Sequence, residues 1–504
     1  MSTDPLELRE ERVAIEERSK MSMMGRFYGL GIAILFLLLS SYVHQSPTHA
    51  PTAISRLDLL HSIVRGRVNI DAYHKNTPDK ADYHGHYYSD KAPGTVALAL
   101  PAFAASTLAL KVLDVGLDSD RGWLISSWIA CIGSIGIVTA LGAVCLFNFL
   151  LRHVPVRHAL ITTLALFLGA APLPYATMMF SHSLVVGLVA FALWASIKET
   201  ESKMSGTSRD SKRNWLQENR WTLAAGFACG WILASEYTAG LVVIALFLWL
   251  VSHRRDRAVP FCLAAVPPLS LIPLYSWACF GSPFILPYSL NSSFPAMKEG
   301  LYAIKWPDPE TAYNLLFSPA RGLLFWTPFL LVAIFGYWQL IRTDRRMFWL
   351  TYAVPVLHII VISGRAWDWT AGPTLGPRYL APILPLLALP CALGALRVWR
   401  ISLLLAVYSI LLTTFATFTN ACPVGSITNP LMKLHIPLFL KSEFSPNVGQ
   451  LLGLPAYVSF GVFYCILFSG VAWLWLMVSM QKNGAPLHSK PPTATRESSK
   501  SLAH

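Results

Sequence analysis

Apolar residues run along most of this chain in blocks close to 20 long, the length a helix needs to cross the hydrocarbon of a bilayer. Such blocks are Tyr28 to His44, Trp123 to Leu151, His158 to Thr177, His182 to Ile197, Pro260 to Phe280 and Leu323 to Ile341. Phe348 to Ser363, Tyr379 to Leu396, Ile401 to Thr419 and Tyr457 to Met480 follow. The stretch Trp221 to Val251 is too long for one crossing and is interrupted by Glu236, so it predicts two short helices. The expected fold class is therefore an all-α polytopic membrane protein of about 12 transmembrane helices. One membrane domain is expected over 27–480, between a cytoplasmic N-terminal segment, 1–26, and a disordered cytoplasmic tail, 481–504.

The polar joints orient the bundle. Lys and Arg gather in short clusters: Arg152 with Arg157, the run Lys198 to Arg220, Arg254 with Arg255 and Arg257, Arg342 with Arg345 and Arg346, and Arg397 with Arg400. An excess of Lys and Arg marks cytoplasmic loops. Every cluster falls on that side if Pro93 to Val112 lies along the outer surface and does not cross. Both termini are then cytoplasmic, and three long loops face outward: Gln45 to Arg121, Gly281 to Gly322 and Asn420 to Ala456.

Composition narrows the classes. Of 504 residues 54% are hydrophobic and 13% charged, too few charges to coat a soluble globule of this size. The net charge of +13 sits in the joints between apolar runs, which is a topology signal and not a nucleic-acid footprint. Seven of the eight cysteines lie in apolar segments and Cys422 in a loop, so no disulfide or zinc framework follows. No metal or other cofactor is expected. There is no glycine-rich phosphate loop, no Ser-His-Asp signature and no His-Glu-x-x-His pattern, so nucleotide-driven transport and metalloprotease chemistry find no support.

The candidate chemistry lies in the outward loops. In the first, Gln45 to Arg121, Asp58, Asp71, Asp79, Asp82 and Asp90 share the chain with Arg56, Lys75, Lys80, Lys91 and several aromatics such as Tyr88. A general base needs an ionised carboxylate near a hydroxyl, and an anionic leaving group needs Arg or Lys beside it. A wet loop whose charges pair among themselves is the bland alternative. In the second loop, Arg321 re-enters the membrane at headgroup depth, where it could hold a lipid phosphate or simply snorkel. Trp367 and Trp369 flank Asp368 ahead of Arg378, as a sugar-stacking platform or as part of an aromatic belt. His182 and Glu236 are ionisable groups in apolar surroundings, each a functional group or a satisfied structural pair.

The run Tyr87-Tyr88-Ser89-Asp90-Lys91-Ala92-Pro93-Gly94 is similar to the acidic-Lys-Pro motif that ends the first periplasmic loop of lipid-linked glycosyltransferases with the C-type (GT-C) membrane fold. Protein O-mannosyltransferases and the aminoarabinose transferase acting on lipid A belong to that group. Looser likeness continues through Phe180-Ser181-His182, Phe280 to Pro283, Ser318 to Gly322, Gly376 to Tyr379 and the Asn429-Pro430 region. The resemblance implies a long helical first extracytoplasmic loop over 45–121 and an inverting sugar transfer from a polyprenyl-phosphate donor. The acceptor would be a glycan, lipid or protein, and the site the outer face of a bacterial inner membrane. It implies phosphate-binding roles for Arg56 and Lys91, joined by Arg321 and Arg378, with Asp90 the acidic neighbour of Lys91. Tyr88, His182, Trp367 and Trp369 would line the sugar or acceptor pocket. The family's usual acidic pair stands just before the arginine, where this chain has Thr52-Ala53-Ile54-Ser55. The catalytic carboxylate is then expected from Asp79, with Asp71 as the alternative and Asp90 also among the catalytic candidates. A flippase or transporter, or a silent member that only binds lipid-linked sugar, are the competing readings.

Overall fold

A computed structural model of the chain describes residues 29–44, 50–204, 214–291, 293–294, 296 and 304–479. The expected N-terminal segment and C-terminal tail lie outside the described residues, as does the middle of the Lys198 to Arg220 run.

The fold is an all-α polytopic membrane bundle with one small hairpin. Helix α1 (Gly29–His44) enters the first long loop, which contains α2 (Pro51–Ile63), strands β1 (Lys80–Tyr83) and β2 (His86–Ser89), and α3 (Gly94–Val112). Then come α4 (Asp120–Leu150), α5 (Val156–Leu168), α6 (Ser181–Met204), α7 (Trp215–Ser235), α8 (Gly240–His253) and α9 (Arg255–Phe280). The remainder is α10 (Pro309–Phe317), α11 (Ala333–Thr343), α12 (Arg345–Ser363), α13 (Arg378–Arg397), α14 (Trp399–Asn420), α15 (Leu431–Leu440) and α16 (Ala456–Ser479). Eight helices among the described residues are long and apolar enough to cross a membrane, and α3 is one of them, although its sequence was expected to lie along the surface. Another four apolar helices are shorter.

Chain chemistry explains where the helices break. Glu236 takes an extended conformation, φ −154° and ψ 105°, and parts α7 from α8 as its interruption of the apolar run predicts. The expected span Leu323 to Ile341 is instead a short turn of helix, then a 3-10 stretch after Pro328, then α11, since proline removes a ladder donor there. Small residues let helices approach: a side chain at Gly142 of α4 would collide with the Gly187 backbone of α6, and one at Gly336 of α11 with the Pro390 carbonyl of α13.

The basic joints converge. Glu199, near one end of α6, pairs with Arg254 at 3.4 Å and Arg257 at 2.9 Å, and Arg346 donates to the Ser252 carbonyl at 3.3 Å. Arg157 overlies the Trp399 ring at 5.3 Å, bringing two further joints together. Ser181 opens α6 at its other end, ~27 Å away at the helical rise.

The first loop carries the expected helices, and between them residues 80–89 add an antiparallel hairpin. His84 and Gly85 occupy its turn with φ of 52° and 79°, the left-handed pair that a two-residue hairpin turn requires. Lys80 pairs with Ser89, so Asp79 and Asp90 emerge side by side just beyond the paired ends.

Candidate active site

That register sets up the site. Two carboxylates held together repel, and the Lys91 ammonium stands between them, 3.0 Å from an oxygen of Asp79 and 3.0 Å from one of Asp90. Thr77 fixes the approach: its hydroxyl donates to the Pro51 carbonyl at 2.9 Å and accepts from the Asp79 amide at 3.1 Å. Thr52, in the first turn of α2, donates to Asp79 Oδ2 at 2.7 Å. The Asp79 carboxylate, just ahead of the hairpin, is thus held against the first turn of α2. Asp90 is wholly enclosed, and Asn291 of the second loop donates to its Oδ2 at 2.8 Å.

Environment separates the two acids. Burial would raise the Asp79 carboxyl, but Lys91 and the Thr52 hydroxyl hold it below the ordinary carboxylate range. For Asp90, burial prevails over Lys91 and pushes the carboxyl up. Burial disfavours the Lys91 charge, yet the flanking carboxylates keep it protonated, its pKa above the usual lysine value.

Asp79 and Lys91 line one wall of a cavity of about 360 Å³. Glu236 forms part of another wall, and Arg365, Trp367, Asp368 and Arg378 a third. Apolar lining comes from Phe180, Leu241, Phe294, Ile304, Val361 and Ile362. The Tyr379 hydroxyl ties the third wall together: it donates to Asp368 at 3.1 Å and accepts from Arg365 at 3.3 Å and Arg378 at 3.4 Å. Arg378 also overlies the Phe180 ring at 5.3 Å, its Nε has no hydrogen-bond partner, and no described carboxylate lies within salt-bridge reach of it.

The other expected site residues are distributed differently. Asp71 staples the hairpin, accepting from the Tyr87 amide at 2.7 Å and facing His86 Nδ1 at 2.7 Å, and its side chain is more than one-third exposed. Tyr88 packs edge-on against Phe280 at 5.2 Å and does not line the cavity. Tyr288 of the second loop does, and Lys91 overlies its ring at 5.2 Å. Arg56 is buried away from the cavity wall, donating to the Met179 carbonyl at 3.1 Å and the Ser181 hydroxyl at 3.2 Å. His182 lies behind Glu236 at 3.7 Å. Trp369 packs into the core, so Trp367 alone of the pair reaches the cavity. Arg321 is fully enclosed and makes five hydrogen bonds, to the carbonyls of Thr370, Ala320, Gly372 and Pro423 and to the Thr374 hydroxyl, over 2.8–3.3 Å. It clamps the 370–374 segment from an enclosed position that does not line the cavity. Asp58, another loop carboxylate, is buried with Asn76 at 3.0 Å and its Oδ2 unpartnered, and burial pushes its carboxyl up to about 7.

Thr52, Asn291 and Arg365 were not anticipated as site residues, Asp368 was named only as the acid between two tryptophans, and Glu236 was singled out only for its depth. The signal for Arg365 was its place in the same loop as Arg378. Asn291 carried no sequence signal. Among the described residues no three or more His, Cys, Asp or Glu are grouped to hold a metal ion.

No protein-family model matches the chain, and no curated protein matches it. Solved structures do overlap it. ArnT from Cupriavidus metallidurans in the apo state aligns with a TM-score of 0.47 and 14% identity, over 92% of this chain and 76% of that one. The same protein bound to undecaprenyl phosphate gives 0.45 and 15%, over 91% and 75%. The Archaeoglobus fulgidus oligosaccharyltransferase in the apo form gives 0.45 and 10%, over 78% and 56%. Overlaps this distant leave the chemistry to be read from the side chains.

Proposed function

We propose that the chain is an integral-membrane glycosyltransferase that moves a sugar from a polyprenyl-phosphate donor to a glycan, lipid or protein acceptor on the extracytoplasmic face. The observation that carries this reading is one cavity in which an ionised carboxylate, Asp79, shares space with Lys91 and with Arg378, a guanidinium lacking a carboxylate partner. Asp79 takes the proton of the acceptor hydroxyl or amine as that atom attacks the anomeric carbon from the face opposite the phosphate. The bond from the anomeric carbon to the phosphate oxygen breaks, the configuration inverts, and the negative charge gathering on the polyprenyl phosphate meets Arg378 and Lys91. Asp90 and Asn291 position Lys91, and the apolar lining suits the first isoprene units.

The two ends of α6 and α8 support one sidedness. The cavity lies at the Ser181 and Gly240 ends and the Arg254, Arg257 and Arg346 cluster at the other. With the basic cluster cytoplasmic, the cavity opens outward, in an inner membrane of bacterial type.

The test is transfer of radiolabelled sugar from undecaprenyl-phosphate donors by the purified protein in nanodiscs, comparing wild type with Asp79→Asn, Asp90→Asn and Lys91→Ala. Asp79→Asn should be the most impaired. Undiminished turnover in all three variants would refute the site.

A further inference from the structure

Six charged side chains line the cavity, and they do not balance locally. Lys91 pairs with Asp79 at 3.0 Å, and Arg365 with Asp368 at 3.5 Å. Arg378 has no carboxylate partner among the described residues, and Glu236 has only His182 behind it, at 3.7 Å. Arg378 and Glu236 both line the same cavity, beside Phe180 and the Ser181 that bonds Glu236, so a ligand that fills this cavity meets both.

Glu236 is held as an acceptor in readiness. Ser181 donates to its Oε2 at 2.8 Å and Thr238 to its Oε1 at 2.9 Å, while Arg56 donates to Ser181 from behind at 3.2 Å. A carboxylate offers about four lone-pair sites, so each oxygen keeps one for a ligand. The side chain is 13% exposed, and it lines the cavity. The Tyr237 and Tyr288 rings meet beside it, 6.2 Å between centroids, giving the aromatic surface against which sugar C–H faces pack. A fixed acceptor pair next to aromatic rings suits adjacent hydroxyls of a sugar.

The geometry points to Glu236 as the group that recognises the hydroxyls of the transferred sugar, while Arg378 takes the phosphate; this rests on the proposed lipid-linked donor. Arg56, expected at the phosphate, becomes a positioning residue acting through Ser181.

Binding separates the sugar from the lipid phosphate. Full-length wild type, Glu236→Ala, Glu236→Gln, Thr238→Val and Arg378→Ala in nanodiscs would be titrated with undecaprenyl phosphate and with its glucosyl and mannosyl forms. Wild type should prefer a glycosylated form. Glu236→Ala should weaken that form about 10- to 100-fold, as loss of hydrogen bonds to a charged group implies, and leave the bare lipid within about two-fold. Glu236→Gln, which retains an acceptor oxygen, and Thr238→Val should lose less, and Arg378→Ala should weaken all three lipids. Retained bare-lipid affinity shows that the Glu236 and Thr238 variants are folded, an unchanged melting curve does so for Arg378→Ala, and the milder pair carries the test if Glu236→Ala fails to fold. A sugar preference that survives in the Glu236 and Thr238 variants, or a wild type that binds glycosylated and bare lipid equally, overturns the inference and leaves the donor class standing. A wild type that binds none of the lipids overturns the proposed donor, and this assignment with it.

Discussion

Arg321 and Arg378 sit in similar sequence surroundings, Ala-Arg-Gly and Pro-Arg-Tyr, each beside a bend where the chain meets the bundle. Arg321 spends its donors on carbonyls from three segments and on Thr374. Arg378 has one long bond to the Tyr379 hydroxyl and two aromatic faces, and it borders the cavity. The first loop repeats the contrast in carboxylates, with Asp71 stapling an exposed turn and Asp79 held ionised at the cavity wall. Residue type and local motif do not separate these roles. The count of protein partners already satisfied does, because a buried charge with spare hydrogen-bonding capacity is costly unless a ligand completes it.

The carboxylates offer the largest way to break that contrast. Asp79→Asn should lower sugar transfer by about 10²- to 10⁴-fold, the range for loss of a general base, while Asp71→Asn keeps turnover near wild type in the same nanodisc assay. Equal losses would erase the distinction. The arginines come next: Arg378→Ala should weaken undecaprenyl phosphate about 10- to 100-fold with an unchanged melting curve. Arg321→Ala should instead depress melting or yield, since four buried carbonyls and a hydroxyl lose their donor.

A smaller effect sharpens the electrostatics of the base. Because Lys91 and Thr52 hold the Asp79 carboxyl low, the acidic limb of the rate profile should fall below the ordinary carboxylate range, with activity lost as pH drops through it. Thr52→Val should shift that limb upward, as a pH profile of kcat/KM would show. The smallest effect concerns stability. Asp58 titrates near 7 when folded and lower when unfolded, so ionisation favours the unfolded chain progressively from about pH 4 to about pH 7. Asp58→Asn should melt above wild type at pH 8, and the gap should close toward pH 4 in melting curves.

Much of this architecture was open to inspection in the residues themselves. The helix break at Glu236 follows from one carboxylate in an apolar run, and the clustering of basic joints follows from their spacing. Other features escaped because they depend on small residues in turns. His84-Gly85 between two short aromatic stretches is a hairpin signal, and it is this hairpin that sets Asp79 beside Asp90. Tyr288 was visible as an aromatic in a polar loop, but its position over Lys91 was not. Arg56 and Arg321 looked like phosphate ligands because an arginine's own sequence neighbours say nothing about which carbonyls fold back onto it.

Hydropathy and charge placement determined the membrane-embedded character, the helical class and the grouping of polar chemistry into a few connectors, because the bilayer imposes a length and a polarity on every segment whatever its neighbours. Tertiary structure decided which of those polar groups act together. Pairing Lys91 with Asp79, closing Asn291 onto Asp90, enclosing Arg321 among carbonyls and placing Arg378 and Glu236 on the cavity wall all depend on contacts between residues far apart in sequence, and electrostatic and hydrogen-bond energies fall off over a few ångströms of space, not of chain.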